Sequence, residues 1–272
     1  MNHLCVFDMD DTLLSPDKTI SEENLRALEH LRELDIGISI ATGRSHYLIG
    51  KYIDQLGITL PVISCNGGML VQYWGNEIIW ENPIRKDLLA RMLLYLLDQK
   101  ADFVAYTAEK IYFPAGSKGV SLFINYNTNV TPEHQAPLQE FIRSDLEKPL
   151  PDICKILVFG PTAEQDVYIR AVEGLEVLSS ADRVLDIMQE GSTKGNAVLS
   201  LAKHLGIPIE NVAVFGDNEN DLSMFACGAI SVAMGNSRDR IKESASHVTG
   251  TNRESGVAQA IESYVLPLFG EK

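Results

Sequence analysis

The sequence predicts an α/β protein whose core is a parallel sheet with crossover helices, interrupted by a large inserted α/β segment. Short apolar runs alternate with amphipathic stretches over the first eighty residues, the pattern of a parallel sheet covered by helices. The same alternation returns from Thr193 onward, whereas the residues between follow a less regular order. We therefore expect one sheet assembled from both ends of the chain, and a separate inserted domain.

The amino-terminal elements are predicted from apolar runs and helix-capping residues. Strands are expected at Leu4–Phe7, Ile36–Ala41 and Pro61–Cys65. Ser21 can cap a first helix, in which leucines recur at three-residue spacing, and a second helix is expected over Ser45–Leu56. A strand–helix alternation of this kind makes successive strands parallel.

The middle of the chain predicts a hairpin around Trp74, followed by an α+β module. Its further elements are helices over Arg85–Gln99 and Glu133–Leu146 and one from Thr162, with strands near Phe103 and Leu122 and at Cys154–Phe159, Leu175–Leu178 and Arg183–Ile187. We place the core domain at residues 1–81 and 189–272 and the insertion at residues 82–188. An insertion of that length is a reasonable size for a separate domain.

The composition limits the compartment and the partners. Of the 272 residues 45% are apolar and 22% are charged, close to the averages for globular proteins. No apolar run reaches the roughly 18–20 residues of a membrane span, and Asp8 comes too early for an apolar signal-peptide core. The net charge of −14 disfavours nucleic acid and anionic membranes as partners. We expect a cytoplasmic protein with neither partner, whose four cysteines are reduced and mostly buried.

The first candidate functional residues follow the first strand. In open parallel sheets ligands bind beyond the carboxyl ends of the strands, so residues at those ends can converge. Asp8 and Asp10 are two residues apart, and both carboxylates can point into one pocket. Such a pair suits a hard cation such as Mg²⁺, and a carboxylate can also attack phosphorus while a neighbouring acid moves the proton. Taken alone, an ordinary acidic turn explains the pair equally well.

Two further segments offer groups that bind phosphate. Thr42 and Gly43 follow the second strand, where a hydroxyl and backbone N–H groups can hold phosphate oxygens. Lys194 begins a helix predicted over Lys194–Leu205, and its ammonium could neutralise a phosphate. Taken alone, a threonine helix cap and a solvated surface lysine are the simpler interpretations.

A second acidic segment follows the strand predicted at Val212–Phe215. Asp217 and Asp221 are one helical turn apart, so they can face the same ion from successive turns. Acidic side chains packed behind a buried strand repel one another unless a cation or hydrogen-bond donors compensate. This segment therefore favours a metal site.

Together these segments resemble the haloacid dehalogenase-like hydrolase superfamily, specifically its Cof-type branch, subfamily IIB. The resemblance covers the whole chain. Its motifs are D-x-D-x-T at Asp8 to Thr12, the threonine Thr42, the lysine Lys194, G-D-x-x-N-D at Gly216 to Asp221, and an N-G element at Asn66-Gly67-Gly68. It implies a Rossmann-like parallel-sheet core with a large inserted α/β cap domain, at the place where the insertion is expected.

The resemblance also implies an activity: a Mg²⁺-dependent phosphatase acting on small phosphorylated metabolites, sugar phosphates above all. Asp8 would be the nucleophile that forms an aspartyl-phosphate, and Asp10 the acid and base. Mg²⁺ would be held by Asp8, the backbone carbonyl of Asp10 and Asp217, with Asp221 behind them. Two alternatives remain open: a phosphotransferase or mutase with the same intermediate, and a non-enzymatic metal-dependent binding protein.

The remaining roles come from the resemblance as well. Lys194 would screen the nucleophile and the phosphate. Phosphate oxygens would be bound by the N–H groups near Met9 and by Thr42 and Gly43, Asn220 would help position Lys194 or the phosphate, and Arg44 is a candidate substrate contact.

Overall fold

The structure is a computed structural model that describes residues 1–181 and 183–270. Unit 1 comprises Met1–Gly43, Tyr52–Ile79 and the chain from Thr193 onward, and unit 2 comprises Arg44–Lys51 and Trp80–Ser192. Position 182 of the expected insertion and positions 271–272 of the expected core domain lie outside the described residues.

The secondary structure alternates in unit 1 and is mixed in unit 2. In chain order the strands are β1 His3–Phe7, β2 Ile36–Ile40, β3 Val62–Ser64, β4 Met69–Gln72, β5 Glu77–Glu81, β6 Asp102–Tyr106, β7 Ile111–Pro114, β8 Leu138–Phe141, β9 Lys155–Phe159, β10 Leu175–Ala181, β11 Val184–Gln189, β12 Val212–Gly216, β13 Ile230–Ala233 and β14 His247–Val248. The α-helices are α1 Glu22–Glu33, α2 Gly50–Leu56, α3 Lys86–Asp98, α4 Val120–Thr128, α5 Ala163–Arg170, α6 Lys194–Leu205, α7 Leu222–Phe225, α8 Asp239–Glu243, α9 Gly256–Ala260 and α10 Leu266–Phe269. Short 3₁₀ turns include His46–Leu48, Cys65–Gly67, Pro132–His134, Arg143–Glu147, Ile209–Asn211, Glu219–Asp221 and Asn252–Glu254, and a π-helical turn, Ile261–Val265, precedes α10.

A five-stranded parallel sheet forms the centre of unit 1, with strand order β14-β13-β12-β1-β2. In its central strand Phe7 pairs with Phe215 of β12 on one side and with Ile40 of β2 on the other. The rings of Phe7 and Phe215 stack with centroids 4.5 Å apart, and both side chains are fully buried. Because these strands are parallel and in register, the chain leaves β1, β2 and β12 at the same edge of the sheet. The predicted α/β fold is confirmed.

The helices beside this sheet begin and end where the sequence places capping residues. The Ser21 hydroxyl accepts a hydrogen bond from the N–H of Asn24 and caps α1. Thr193 caps α6 through the N–H of Asn196, and Gly206, at φ +70°, ends that helix in the left-handed conformation. The expected second helix is instead divided into a 3₁₀ turn and the shorter α2.

The third expected strand lies in a sheet of its own, with strand order β3-β4-β5. One parallel bridge, between Ala41 and Ile63, connects it to the end of β2. Strands β4 and β5 form the hairpin predicted around Trp74, whose indole N–H donates to the carbonyl of Ile58 at 2.7 Å.

Unit 2 contains a six-stranded sheet with order β10-β11-β9-β6-β7-β8, antiparallel except between β7 and β8. Alternate side chains of its central strands join buried residues of α3 in one apolar core. The fully buried members of this core include Leu89, Leu96, Phe103, Ile153, Ile156, Val158, Ile169 and Ile187. Unit 2 therefore has a hydrophobic core of its own.

Two expected elements of the insertion are wrong. The strand expected near Leu122 is helix α4, because the carboxylate of Asp102 accepts hydrogen bonds from the N–H groups of Lys118 and Gly119 and so holds the chain just before the helix. The helix expected over Glu133–Leu146 is two 3₁₀ turns with β8 between them. Pro137 interrupts that stretch and, since it has no N–H, disfavours a helix there.

Among the described residues, no helix has the length and apolar character needed to cross a membrane. The four cysteines are free thiols and three of them are buried, as predicted.

A buried ion pair lies within the sheet of unit 2. The ammonium of Lys155 on β9 lies 2.5 Å from a carboxylate oxygen of Asp186 on β11, and both side chains are almost completely buried. The attraction between the two charges offsets part of the free energy that their burial costs. Removing one partner therefore leaves the other charge buried without this compensation.

We predict that Lys155→Met destabilises the protein by about 3–5 kcal/mol, because it leaves the buried carboxylate of Asp186 without this partner. Urea unfolding followed by circular dichroism measures the loss. The double variant Lys155→Met/Asp186→Leu removes both charges and is expected to recover most of it. A double variant as unstable as Lys155→Met alone would contradict this account.

Candidate active site

Lys194 is a buried lysine at the first residue of α6. Its side chain is 0% exposed, and its ammonium lies 2.5 Å from Oδ1 of Asp8 and 2.6 Å from Oδ1 of Asp221. Asp8 directly follows β1, and its own N–H donates to the carbonyl of Phe215 on β12. The interpretation of Lys194 as a solvated surface lysine is therefore wrong.

Asp221 organises the turn that follows β12. Its second oxygen, Oδ2, accepts hydrogen bonds from the backbone N–H groups of Asp217 and Asn218, at 2.9 and 3.0 Å. The side chain packs so closely on Gly216 that a Cβ there would lie 2.5 Å from it. With Lys194 on the other oxygen, both oxygens of Asp221 accept hydrogen bonds.

Asp217 faces the same centre from the end of β12. The buried hydroxyl of Thr12 donates to its Oδ1 at 2.8 Å. One carboxylate oxygen each of Asp8, Asp217 and Asp221 lies within 4.8 Å of the others, close enough to share a metal ion. Carboxylate oxygens are the donors that hard divalent cations such as Mg²⁺ select.

The carboxylates of this cluster carry more negative charge than the ammonium of Lys194 balances. Burial raises the pKa of Asp8 well above its usual range, the charges of Asp221 and Asp217 add to the increase, and Lys194 opposes it. Burial followed by the charge of Asp221 raises the pKa of Asp217 to about 7. Burial alone would lower the pKa of Lys194, but Asp221 and Asp8 together raise it. Three carboxylates share one ammonium, so a single divalent cation would balance the excess charge.

The segment after β2 brings Thr42 and Gly43 to the same edge of the sheet. Thr42 is buried and its N–H donates to the carbonyl of Ile63 on β3 at 2.9 Å. Gly43 lies so close to Asn66 that a Cβ would be 2.9 Å from its side-chain oxygen. Arg44 belongs to unit 2, whereas the other candidate residues belong to unit 1.

Two other candidates make contacts of their own. Met9 is fully buried, and its carbonyl accepts a hydrogen bond from the N–H of Leu14 at 2.8 Å. The side-chain amide of Asn220 donates to Oδ1 of Asn66 at 3.0 Å. In the same segment Asp221 accepts a hydrogen bond from the ammonium of Lys194.

The turn Cys65–Gly67 is the part of this centre that sequence reasoning left out of the site. Its three residues have φ values of +53°, +57° and +95°, and all three are buried. The N–H of Asn66 donates to the carbonyl of Thr42, while its side chain accepts from Asn220. The turn therefore connects the segments after β2 and β12. The Asn-Gly-Gly sequence was the available signal, since asparagine and glycine adopt left-handed conformations most readily.

Comparison with known proteins identifies the family. A family model described as haloacid dehalogenase-like hydrolase matches residues 5–261. The chain belongs to the haloacid dehalogenase-like hydrolase family. The predicted membership is confirmed, and at this level the predicted phosphatase activity is confirmed as well, because relatives of this hydrolase are named as phosphatases.

Two relatives of this hydrolase match it over nearly their whole length. It is 28% identical to a pyridoxal phosphate phosphatase of Escherichia coli (strain K12), over 95% of this chain and 97% of that protein. It is 26% identical to a 5-amino-6-(5-phospho-D-ribitylamino)uracil phosphatase of Bacillus subtilis (strain 168), over 96% of this chain and 97% of that protein. A solved sugar phosphatase of subclass IIB shares the fold, with a TM-score of 0.83 at 22% identity, covering 97% of this chain and 99% of that one.

We predict that Gly67→Ala destabilises this hydrolase by more than its left-handed φ alone explains. A Cβ at position 67 would lie 2.2 Å from the carbonyl oxygen of Thr193, immediately before α6. Gly75 is a matched control, since it has a similar φ of +99° and nothing within 4 Å of its Cβ position. Thermal unfolding should show a loss of about 1–2 kcal/mol for Gly75→Ala and a clearly larger one for Gly67→Ala. Equal losses would show that the contact with Thr193 is unimportant.

We predict that Asp217 makes the metal-free protein less stable as the pH rises from about 4 to about 7. Asp217 titrates near 7 when folded and has an ordinary pKa of 3.8, so in this window the folded state binds more protons than the unfolded state. Unfolding free energies measured in EDTA across this range provide the test, with Asp217→Asn as the comparison. The slope should be smaller in Asp217→Asn, and an unchanged slope would assign it to other groups.

Proposed function

We propose that this hydrolase is a Mg²⁺-dependent phosphatase that hydrolyses sugar phosphates and related small phosphorylated metabolites through an aspartyl-phosphate on Asp8. The observation that carries the proposal is the buried carboxylate of Asp8, held at 2.5 Å by the ammonium of Lys194. One oxygen of the nucleophile is thereby fixed, which leaves the other to attack. Burial strengthens every electrostatic interaction at this centre.

Asp8 and Asp10 divide the chemistry between them. In the first step an oxygen of Asp8 forms a bond to phosphorus, the ester P–O bond breaks, and Asp10 gives a proton to the leaving alkoxide. In the second step water attacks the same phosphorus, Asp10 accepts a proton from it, and the Asp8–phosphorus linkage breaks. The products are the alcohol and inorganic phosphate, and both aspartates return to their starting state.

The occupancy of the carboxylate oxygens supports the metal ligands that we propose. Both oxygens of Asp221 accept hydrogen bonds from protein donors, so Asp221 supports the site from behind. Thr12 donates to one oxygen of Asp217, and Lys194 donates to one oxygen of Asp8. Each carboxylate oxygen has two lone pairs, so the Asp8 oxygen that Lys194 holds can also bind the ion while the other Asp8 oxygen attacks. Asp8, Asp217 and the backbone carbonyl of Asp10 would hold Mg²⁺. When bound, the ion offsets the repulsion between a phosphate dianion and an anionic nucleophile.

The phosphate-binding groups are proposed from the same edge of the sheet. Thr42 and the N–H groups of Gly43 and of the chain near Met9 would bind the oxygens of the transferring phosphate, and Lys194 would screen its charge. Asn220, whose side-chain amide donates a hydrogen bond to Asn66, would help position Lys194 or the phosphate. Arg44 is proposed as a substrate contact.

The insertion, residues 82–188, is proposed as the cap that selects the leaving group and excludes bulk water. Its separate apolar core allows it to act as a body of its own. Sugar phosphates are proposed because the solved subclass IIB protein is a sugar phosphatase. Two relatives are named as phosphatases of other small phosphorylated metabolites, which supports this wider substrate class.

We predict that Asp8→Asn lowers phosphate release by more than about a thousandfold, because the amide cannot act as the nucleophile. The assay measures inorganic phosphate from p-nitrophenyl phosphate and a panel of sugar phosphates, with Mg²⁺ and with EDTA. Asp239→Asn is the control, since Asp239 is an exposed residue of α8 in the same unit. The proposal fails if Asp8→Asn retains turnover, or if turnover is the same in EDTA. Transfer to an acceptor alcohol in place of release would indicate a phosphotransferase.

A further inference from the structure

We propose that Lys18 is a positioning residue that holds the carboxylate of Asp10 in its working orientation. The inference rests on the proposed function, in which Asp10 moves the protons. The ammonium of Lys18 lies 2.8 Å from Oδ1 of Asp10, although the two residues are eight apart in the chain. This contact fixes one oxygen of Asp10 and so orients the other.

A tight turn over residues 15–19 presents Lys18 to Asp10. The N–H of Ser15 donates to the carbonyl of Thr19 at 2.9 Å, and the N–H of Lys18 donates to the carbonyl of Ser15 at 2.8 Å. The carboxylate of Asp17 accepts hydrogen bonds from the hydroxyls of Ser15 and Thr19, at 2.6 and 2.7 Å. These backbone and side-chain hydrogen bonds hold the two ends of the turn together.

The backbone of Lys18 is held in a left-handed conformation. Its φ is +63°, in the left-handed region that glycine adopts freely and other residues adopt at a cost of roughly 1–2 kcal/mol. The hydroxyl of Tyr52 donates to the carbonyl of Lys18 at 3.1 Å and helps to hold it there. A strained residue whose side chain lies on a proposed catalytic group points to a functional role for that side chain.

The backbone of Asp10 is also fixed, so Lys18 acts on the rotation of the Asp10 side chain. Asp10 forms a parallel bridge with Leu14, and the N–H of Leu14 donates to the carbonyl of Met9. The side chains of Lys18 and Asp10 are 45% and 39% exposed, so their ion pair contributes little to stability. The loss of Lys18 should therefore change the kinetics without unfolding the protein.

The two proton transfers by Asp10 can be separated by the choice of substrate. p-Nitrophenolate leaves without protonation, so kcat/KM for p-nitrophenyl phosphate does not depend on the acid. Its kcat still includes hydrolysis of the aspartyl-phosphate, which needs Asp10 as the base. A sugar alkoxide needs the acid, so for sugar phosphates kcat/KM depends on Asp10 as well.

The experiment compares Lys18→Met, Lys18→Arg and Asp10→Asn in the full-length protein with Mg²⁺. For p-nitrophenyl phosphate, Lys18→Met should lower kcat about tenfold and leave kcat/KM within about twofold, so that KM falls with kcat. A pre-steady-state burst of p-nitrophenolate should accompany this change, because hydrolysis becomes the slow step. For sugar phosphates kcat/KM should fall about tenfold as well, a fraction of the contribution of a general acid.

Two comparisons separate positioning from a merely structural role. Lys18→Arg keeps a cation within reach of Asp10 and should restore most of the lost kcat. Lys203→Met removes an exposed lysine of unit 1 that has no ion pair among the described residues, and it should leave all rates unchanged. In the Asp10→Asn background, Lys18→Met should have no further effect.

Other outcomes overturn the inference. Wild-type rates in Lys18→Met, or an equal fall of kcat and kcat/KM for p-nitrophenyl phosphate, would each show that Lys18 does not act through Asp10. A wild-type protein without turnover on either substrate would instead overturn the proposed function, and this inference with it.

Discussion

The buried ammonium of Lys194 between Asp8 and Asp221 is the interaction on which the rest of the centre depends. A buried charge is tolerated only when it is paired, and each of these partners comes from a different part of the chain. The parallel register of β1 and β12 brings the two aspartate segments together. Helix α6 brings the lysine, and it approaches so closely that a Cβ at Gly195 would lie 2.0 Å from the carbonyl oxygen of Ser223. The centre is thus built by the packing of the whole unit.

Four of the nine non-glycine residues with positive φ in the described part of the chain lie around this centre. Cys65, Asn66, Asp11 and Lys18 all have positive φ values, and each lies in or next to a segment that carries a candidate functional residue. Left-handed residues other than glycine persist only where the surrounding structure determines them, and they occur most often at functional sites. At Asn66 the surroundings are the carbonyl of Thr42 and the amide of Asn220. The strain is therefore compensated by the same contacts that connect the motifs.

The sequence predicts the parallel sheet and the beginning of α6 well, because these depend on local patterns. Apolar runs mark the strands, and the Thr193 cap marks the helix. Local patterns cannot show that Lys194 is buried, since its partners lie up to 186 residues away. The same limit explains α4, where a carboxylate on a neighbouring strand holds the chain before the helix. Lys18 was missed because only the folded turn brings it to Asp10.

The division into two units separates the buried charges around Lys194 from the apolar core of the insertion. The ion pairs around Lys194 lie within unit 1, while unit 2 has an apolar core composed of its own residues and a separate buried pair, Lys155 and Asp186. In the proposed cap role of the insertion, substitutions at the surface of unit 2 would change which ligand it contacts without disturbing the buried charges of unit 1. Charged networks tolerate few substitutions, because every partner must be replaced together, whereas apolar cores accept many volume-conserving changes. A chain built in this way can keep one phosphoryl-transfer centre while its substrate selection changes, which is consistent with relatives of similar length that are named for different phosphorylated metabolites.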